Sequence, residues 1–206
     1  MTTTPTATPL DEPSRTVLGV VGSLRRHSYN RLLLRHAADH APERLIIDVV
    51  DDIIRLPLFD EDLEVDGLPA EVVAMHERIA AVDGVAIATP EYNFGVPGPL
   101  KNWLDWASRP ERRSPLGGKP VLLMGASTGR TGGTVQSQGQ LRVCLAVLGA
   151  HVVPWPPVLL AEAAGDDKFD DDGRLVDQLA QTVIGMALDR FLALIDSLAP
   201  PGGCPA

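Results

Sequence analysis

Thr16-Val17-Leu18-Gly19-Val20-Val21 runs straight into Gly22-Ser23-Leu24-Arg25-Arg26-His27-Ser28-Tyr29-Asn30, and this junction decides the fold. The first six residues are mostly apolar and valine-rich, the composition of a strand buried on both faces. The next nine are polar and cationic. They lead into a helical stretch, Tyr29 to His40, that Ala41-Pro42 brings to an end. Strand, donor-rich turn and helix in that order make the opening of a βαβ unit.

The same alternation continues along the chain. Leu45 to Val50 reads as a second strand. After a loop from Leu56 to Leu68, a helix runs from Pro69 to Val82, with Val72, Met75, Ile79 and Val82 on one face and Pro69 suited to the first helical position. Gly84 to Ala88 is the third strand and Pro99 to Ala107 the next helix. Pro120 to Met124 is the fourth strand, followed by a helix from Val135 to Leu148. His151 to Val153, with Val158 to Leu160, supplies the fifth strand. A last helix from Arg174 to Leu198 carries Ile184, Leu188, Phe191, Ile195 and Leu198 as an apolar stripe. Strands alternating with helices imply a parallel sheet covered on both faces and joined by right-handed crossovers. Five strands with anion-binding chemistry directly after the first favour a flavodoxin-like three-layer α/β/α fold, with a five-stranded parallel sheet in the order 2-1-3-4-5.

Composition sets the outer bounds. Of 206 residues, 45% are hydrophobic and 22% charged, ordinary values for a globular domain. Residues 1–13 are rich in Thr and Pro, and 199–206 in Pro and Gly, so both ends read as disordered tails around one domain spanning 14–198. A net charge of −9 argues against nucleic acid or an anionic membrane surface as a partner. The acidic runs Asp48 to Asp52, Asp60 to Asp66 and Asp166 to Asp172 fall near turns and read as solvated loops. Cys144 and Cys204 are too few for a disulfide framework, Cys144 sitting among Leu141, Leu145 and Leu148 as a small core residue. The amino terminus lacks the basic start and apolar core of a signal peptide. No apolar run approaches the roughly 20 residues that span a bilayer. A cytoplasmic protein is expected.

Three loops carry the chemistry. In the first, Ser23 and Ser28 offer hydroxyls, Asn30 an amide and Arg25 a guanidinium, and the helix start adds free backbone N–H groups. That set suits a phosphate dianion. Neither G-x-x-x-x-G-K-[ST] nor G-x-G-x-x-G is present, so a mononucleotide phosphate fits better than a triphosphate or a dinucleotide. The second loop, Thr89-Pro90-Glu91-Tyr92-Asn93-Phe94-Gly95-Val96-Pro97-Gly98-Pro99, is stiffened by Pro and Gly and could lie along a flat heterocycle. The third, Gly125 to Gly133, contains Ser127, Thr128, Gly129, Arg130, Gly132 and Gly133, and its glycines permit close backbone approach. Ligands in open α/β sheets bind beyond the carboxyl ends of the strands, where all three loops lie. His36 and His40, one helical turn apart, lack a third ligand and read as a surface pair. Trp103 and Trp106 read as packing or interface residues.

These loops resemble the NADPH-dependent FMN reductase family, flavodoxin-like flavoenzymes that include quinone, chromate and azo-dye reductases. The resemblance runs from Thr16 to about Asp177. The family's phosphate pattern, Ser-x-Arg-x-x-Ser-x-Asn, is met by Ser23, Arg25, Ser28 and Asn30, with Tyr29 between the last two. Its ring-binding pattern is met from Thr89 to Asn93, continuing through Pro97-Gly98 to Leu100-Lys101-Asn102 and Asp105-Trp106. Ser127, Gly129, Gly132 and Gly133 match the third loop. Gly95 stands where many members carry serine, which removes a hydroxyl contact and leaves the backbone role.

The resemblance implies non-covalent FMN, with Pro90, Glu91, Tyr92 and Asn93 lining the isoalloxazine and Phe94, Gly95 and Thr128 beside it. It also implies NADPH or NADH as co-substrate, a small-molecule electron acceptor, ping-pong turnover and a homodimer or a dimer-of-dimers tetramer. No side chain is then required as acid or base, because the flavin carries the chemistry. Two rival readings remain. One is a flavodoxin-type electron carrier without NAD(P)H turnover, which the acidic surface would suit. The other is a nucleotide-handling transferase using Glu91 as nucleophile.

Overall fold

The computed structural model describes residues 13–50, 53–65, 67–111, 113–130 and 132–199. Most of both expected tails and Cys204 lie outside them. The elements are β1 (Arg15–Val21), α1 (Tyr29–Asp39), β2 (Leu45–Val50), α2 (Ala70–Ala81), β3 (Gly84–Ala88), α3 (Gly98–Ala107), β4 (Pro120–Ala126), α4 (Val135–Val147), β5 (His151–Val152), β6 (Val158–Leu160) and α5 (Gln178–Leu198). All strand pairs are parallel and follow the order β2-β1-β3-β4-β5.

The sheet divides two apolar cores. On one face, Leu33 and Leu34 of α1 and Ile184, Leu188 and Phe191 of α5 cover Val17, Val21, Ala86 and Leu122. On the other, Val72 and Ile79 of α2, Trp103 and Leu104 of α3, and Leu141 and Leu145 of α4 cover Val20, Val85, Ile87 and Leu123. Burial on both faces explains why β3 and β4 have no polar alternation: every residue in each is buried.

Two expectations are corrected and one alternative is decided. The fifth strand is two pieces: β5 pairs with Pro120 and Val121, and β6 with Met124 to Ala126. Between them lie Pro154, Pro156 and Pro157, which have no N–H to give a ladder. The last helix begins at Gln178, not Arg174. Leu175 is bridged to Phe169, Gly173 takes a left-handed turn (φ 78°), and Asp177 then caps α5 by accepting from the Ala180 N–H at 2.9 Å. Trp103 and Trp106 need no partner subunit to bury them, being 2% and 0% exposed within the chain. The loop after β2 folds over α3, where Pro57 O accepts from Trp106 Nε1 (2.8 Å) and Asn102 Nδ2 (2.9 Å). Cys144 is half-buried and packs against the second core.

Among the described residues, α5 alone has the length and apolar character of a membrane-crossing helix. Its stripe of Ile184, Ala187, Leu188, Phe191 and Ile195 is buried in the first core.

Asp177 also bonds Lys168 Nζ at 2.5 Å, and that contact, with the Ala180 N–H, holds its carboxyl below the ordinary value. A depressed carboxyl stabilises the fold above its unfolded value, and the effect is lost as pH falls through the folded one. Asp177→Ala is therefore expected to cost about 1 kcal/mol at neutral pH. In urea unfolding followed at decreasing pH, the gap from the wild type should close in strongly acidic solution.

Candidate functional site

Three loops leave the carboxyl ends of β1, β3 and β4 and meet in one cleft of about 180 Å³. Its walls include Ser23, Arg25, Ser28, Tyr29 and Asn30 from the first loop and Pro90, Glu91 and Tyr92 from the second. Ser127 and Thr128 come from the third, beside Ala126. Asn93, Phe94, Gly95, Gly129, Gly132 and Gly133 lie outside the lining.

In the first loop, Ser28 takes an extended conformation (φ −85°, ψ 122°) and its Oγ accepts from the Arg31 N–H at 3.4 Å. This N-cap leaves the Tyr29 and Asn30 N–H groups free of intrahelical partners, the usual state of a first helical turn. The Arg25 guanidinium lies over the Tyr29 ring, 5.9 Å from its centroid, within cation–π range. Arg31, which the sequence pattern did not single out, donates Nη1 to the carbonyls of Arg26 (3.0 Å) and Arg25 (3.4 Å) and so gathers the loop.

One expected role is shared with the protein itself. The Asn30 amide is engaged at both ends by the backbone of Ala126. Its Nδ2 donates to Ala126 O at 2.9 Å, and its Oδ1 accepts from the Ala126 N–H at 2.8 Å, with the residue 3% exposed. Asn30 can serve a ligand through its backbone, while its side chain ties α1 to the end of β4.

The second loop is braced by α4. Glu91 Oε2 accepts from the N–H groups of Gln136 (2.8 Å) and Ser137 (3.0 Å), a carboxylate at the positive end of a helix. Thr89 Oγ1 donates to Pro90 O (2.8 Å) and lies 2.9 Å from Ser137 Oγ. Tyr92 and Gly95 exchange two backbone bonds (3.2 and 3.0 Å) around Asn93 and Phe94, both with positive φ. That is a two-residue turn of the I′ kind. Gln140 donates Nε2 to Phe94 O (3.0 Å) and accepts at Oε1 from the Val96 N–H (3.3 Å). With its carboxylate committed to α4, Glu91 is not a free nucleophile, which removes the support for the transferase reading. No local motif announces these partners, because they lie some 45 residues away in sequence.

In the third loop, the Ser127 N–H bonds Leu160 O (2.9 Å), and Ser127 Oγ accepts from the Gly129 N–H (3.1 Å). Gly132 and Gly133 (φ 71° and 59°) turn the chain into α4. Gly125 is obligatory: a Cβ there would come within 2.0 Å of Thr134 Oγ1 and 2.6 Å of Thr89 O. Arg130 pairs with Glu162 at 3.3 Å on the exposed rim. Away from the cleft, His36 and His40 stack at 4.1 Å, and burial together with His40 lowers the His36 pKa.

A doubly wound parallel sheet with hydroxyls, a guanidinium and a helix start in one cleft defines a nucleotide-binding protein of the flavodoxin-like class. The family model described as NADPH-dependent FMN reductase matches residues 15–165. The chain is 42% identical over 175 residues to an NAD(P)H-dependent FMN reductase of Pseudomonas aeruginosa, covering 85% of this chain and 92% of that one. It is 43% identical over 142 residues to a quinone reductase of Escherichia coli, covering 68% and 74%. Among solved structures, a flavoenzyme NAD(P)H:(acceptor) oxidoreductase of Paracoccus denitrificans superposes with a TM-score of 0.79 at 31% identity, covering 89% of this chain and 98% of that one. The chain belongs to the NADPH-dependent FMN reductase family. It is an FMN-dependent oxidoreductase, which decides against the carrier reading.

Asn30→Ala would leave the Ala126 N–H and carbonyl buried and unpaired, at a cost of about 1–3 kcal/mol for each group. Thermal unfolding of the flavin-free protein should show the loss without any ligand. An unchanged midpoint would return the side chain to a ligand-binding role.

Proposed function

We propose that the cleft holds FMN non-covalently and that the protein uses NAD(P)H to reduce a quinone or a similar small electrophile. The observation that carries this reading is the convergence of donor-rich loops from three adjacent strands in one cleft, with the Glu91 carboxylate bonded to the start of α4. The donor set fits the group. Ser23, Ser28, Arg25 and the N–H groups at the start of α1 would take its phosphate, since hydroxyls, one cation and a helix N-terminus match a single dianion. Pro90 to Phe94 would lie along the ring, where the Glu91, Asn93 and Phe94 N–H groups make no bond to other described residues. When bound, the flavin accepts two electrons and a proton from NAD(P)H and passes them to the acceptor. The loop N–H groups would favour the charge that develops on reduction, since fixed donors need no reorganisation. Ser127 and Thr128 would close the far wall, and Gly129, Gly132 and Gly133 would set that loop's course. The quinone assignment draws on the Escherichia coli relative's name. A cytoplasmic setting, where nicotinamide cofactors are regenerated, completes the reading.

A homodimer belongs to the same proposal. Val135, Val143 and Val147, spaced along the outer face of α4, are 49%, 67% and 82% exposed. An apolar stripe of that kind suits a self-complementary contact beside the cleft. Val143→Asp is expected to shift the protein towards monomer in sedimentation velocity.

Arg25→Ala removes a charge-assisted bond of roughly 1.5–3 kcal/mol, so FMN affinity should fall about ten- to a hundredfold. Riboflavin, which lacks the phosphate, should bind almost unchanged. Equal losses for both ligands would move Arg25 away from the phosphate.

Adding NADPH to the yellow FMN-loaded protein without acceptor should bleach the 450 nm-region absorbance, and a quinone should restore it. Initial rates should give parallel double-reciprocal lines, as expected if donor and acceptor use one face in turn. Inertness to NADPH and NADH would overturn the proposed turnover, and intersecting lines would overturn the shared face.

A further inference from the structure

Asn93 and Phe94 occupy the left-handed region at φ 50° and 62°. Asparagine tolerates that conformation, but a bulky residue there is an outlier, and the favoured second residue of such a turn is glycine. Within the chain, Phe94 does not offset this cost by burying its ring, which is 79% exposed. The two Tyr92–Gly95 bonds would form in any hairpin of this length, so they do not select phenylalanine. The compensation comes from α4. The Gln140 amide donates to Phe94 O and accepts from the Val96 N–H, two bonds of opposite sense on either side of Gly95. A neutral amide can do both at once, its NH2 donating while its oxygen accepts.

We propose that Gln140 is a positioning residue of the flavin site: its amide clamp holds the Asn93–Phe94 turn in its left-handed form. The effect on flavin rests on the reading of the cleft as the FMN site. With the clamp in place, the Asn93 and Phe94 N–H groups, next in the chain to the lining residue Tyr92, keep their directions. Without it, Phe94 relaxes towards negative φ and the donors turn with the backbone. Gln140 is exposed on α4 and its side-chain bonds go to the Phe94–Val96 segment, so its replacement is expected to leave the fold standing.

The test is a double-mutant cycle of Gln140→Met, which keeps length and helix preference but loses both bonds, with Phe94→Gly. The second change creates Asn-Gly, a pair that adopts the turn unaided. Two quantities are read: FMN affinity, and the rate of chymotrypsin cleavage after Tyr92 in the flavin-free protein. Gln140→Met alone should weaken FMN binding roughly tenfold, about what two neutral hydrogen bonds supply, and should speed cleavage. In the Phe94→Gly background the same change should cost less than about twofold in each quantity, the non-additivity of residues acting as a unit. Equal costs in both backgrounds, or no cost in either, would overturn the clamp. Absence of FMN binding by the wild type would instead overturn the flavin reading, and the cleavage rates would still decide the clamp.

Discussion

The two hydrogen bonds between the Asn30 side chain and the Ala126 backbone hold the rest of the site in register. They join the first turn of α1, which follows β1, to the last residue of β4, two strands away across β3. Both partners are buried, so the bonds form where water cannot compete and where an unpaired group would be costly. Once the ends of β1 and β4 are fixed, the loop after β3 has one gap to occupy. The cleft is the remainder.

What fills that gap is held by charge and strain in balance. Glu91 places a carboxylate at the amino end of α4, where the helix dipole favours it, and this anchors the loop at its start. Gln140 anchors it one helical turn further on. Between the anchors the backbone bends through a left-handed turn that phenylalanine would not choose. Strain of this kind persists only where the surroundings over-determine it, and here they are the side chains of one helix.

Much of this order is visible in the chain itself. Val17 to Val21 and Val85 to Ala88 read as buried strands because they lie between two helical layers, and that burial removes polar alternation. Ser28 reads as a cap because capping is local. The break between β5 and β6 and the late start of α5 were less visible. Each depends on a turn that tertiary pairing selects, the prolines beside β4 and the Phe169–Leu175 bridge. Site loops were legible as loops, and ten of the residues expected in them do line the cleft. The tasks of Asn30, Glu91, Arg31 and Gln140 were not, since each bonds a backbone group that no periodicity or short motif places beside it. The motif marks Asn30 without announcing its bonds to Ala126, for an amide in a first helical turn looks the same whether it faces a ligand or a neighbouring strand.

A division of labour follows from these contacts. Asn30, Arg31, Glu91 and Gln140 spend their polar atoms on the protein's own backbone, and the groups left facing the cleft are largely backbone N–H and hydroxyls. Backbone donors are deleted by no substitution except proline, and their directions are set by the side chains behind them. Chemistry that needs no acid or base from the protein is well served by this arrangement, because the demand on the site is for fixed dipoles rather than for a proton at a given pH. The residues that control such a site are then those standing one bond behind it, on α1 and α4.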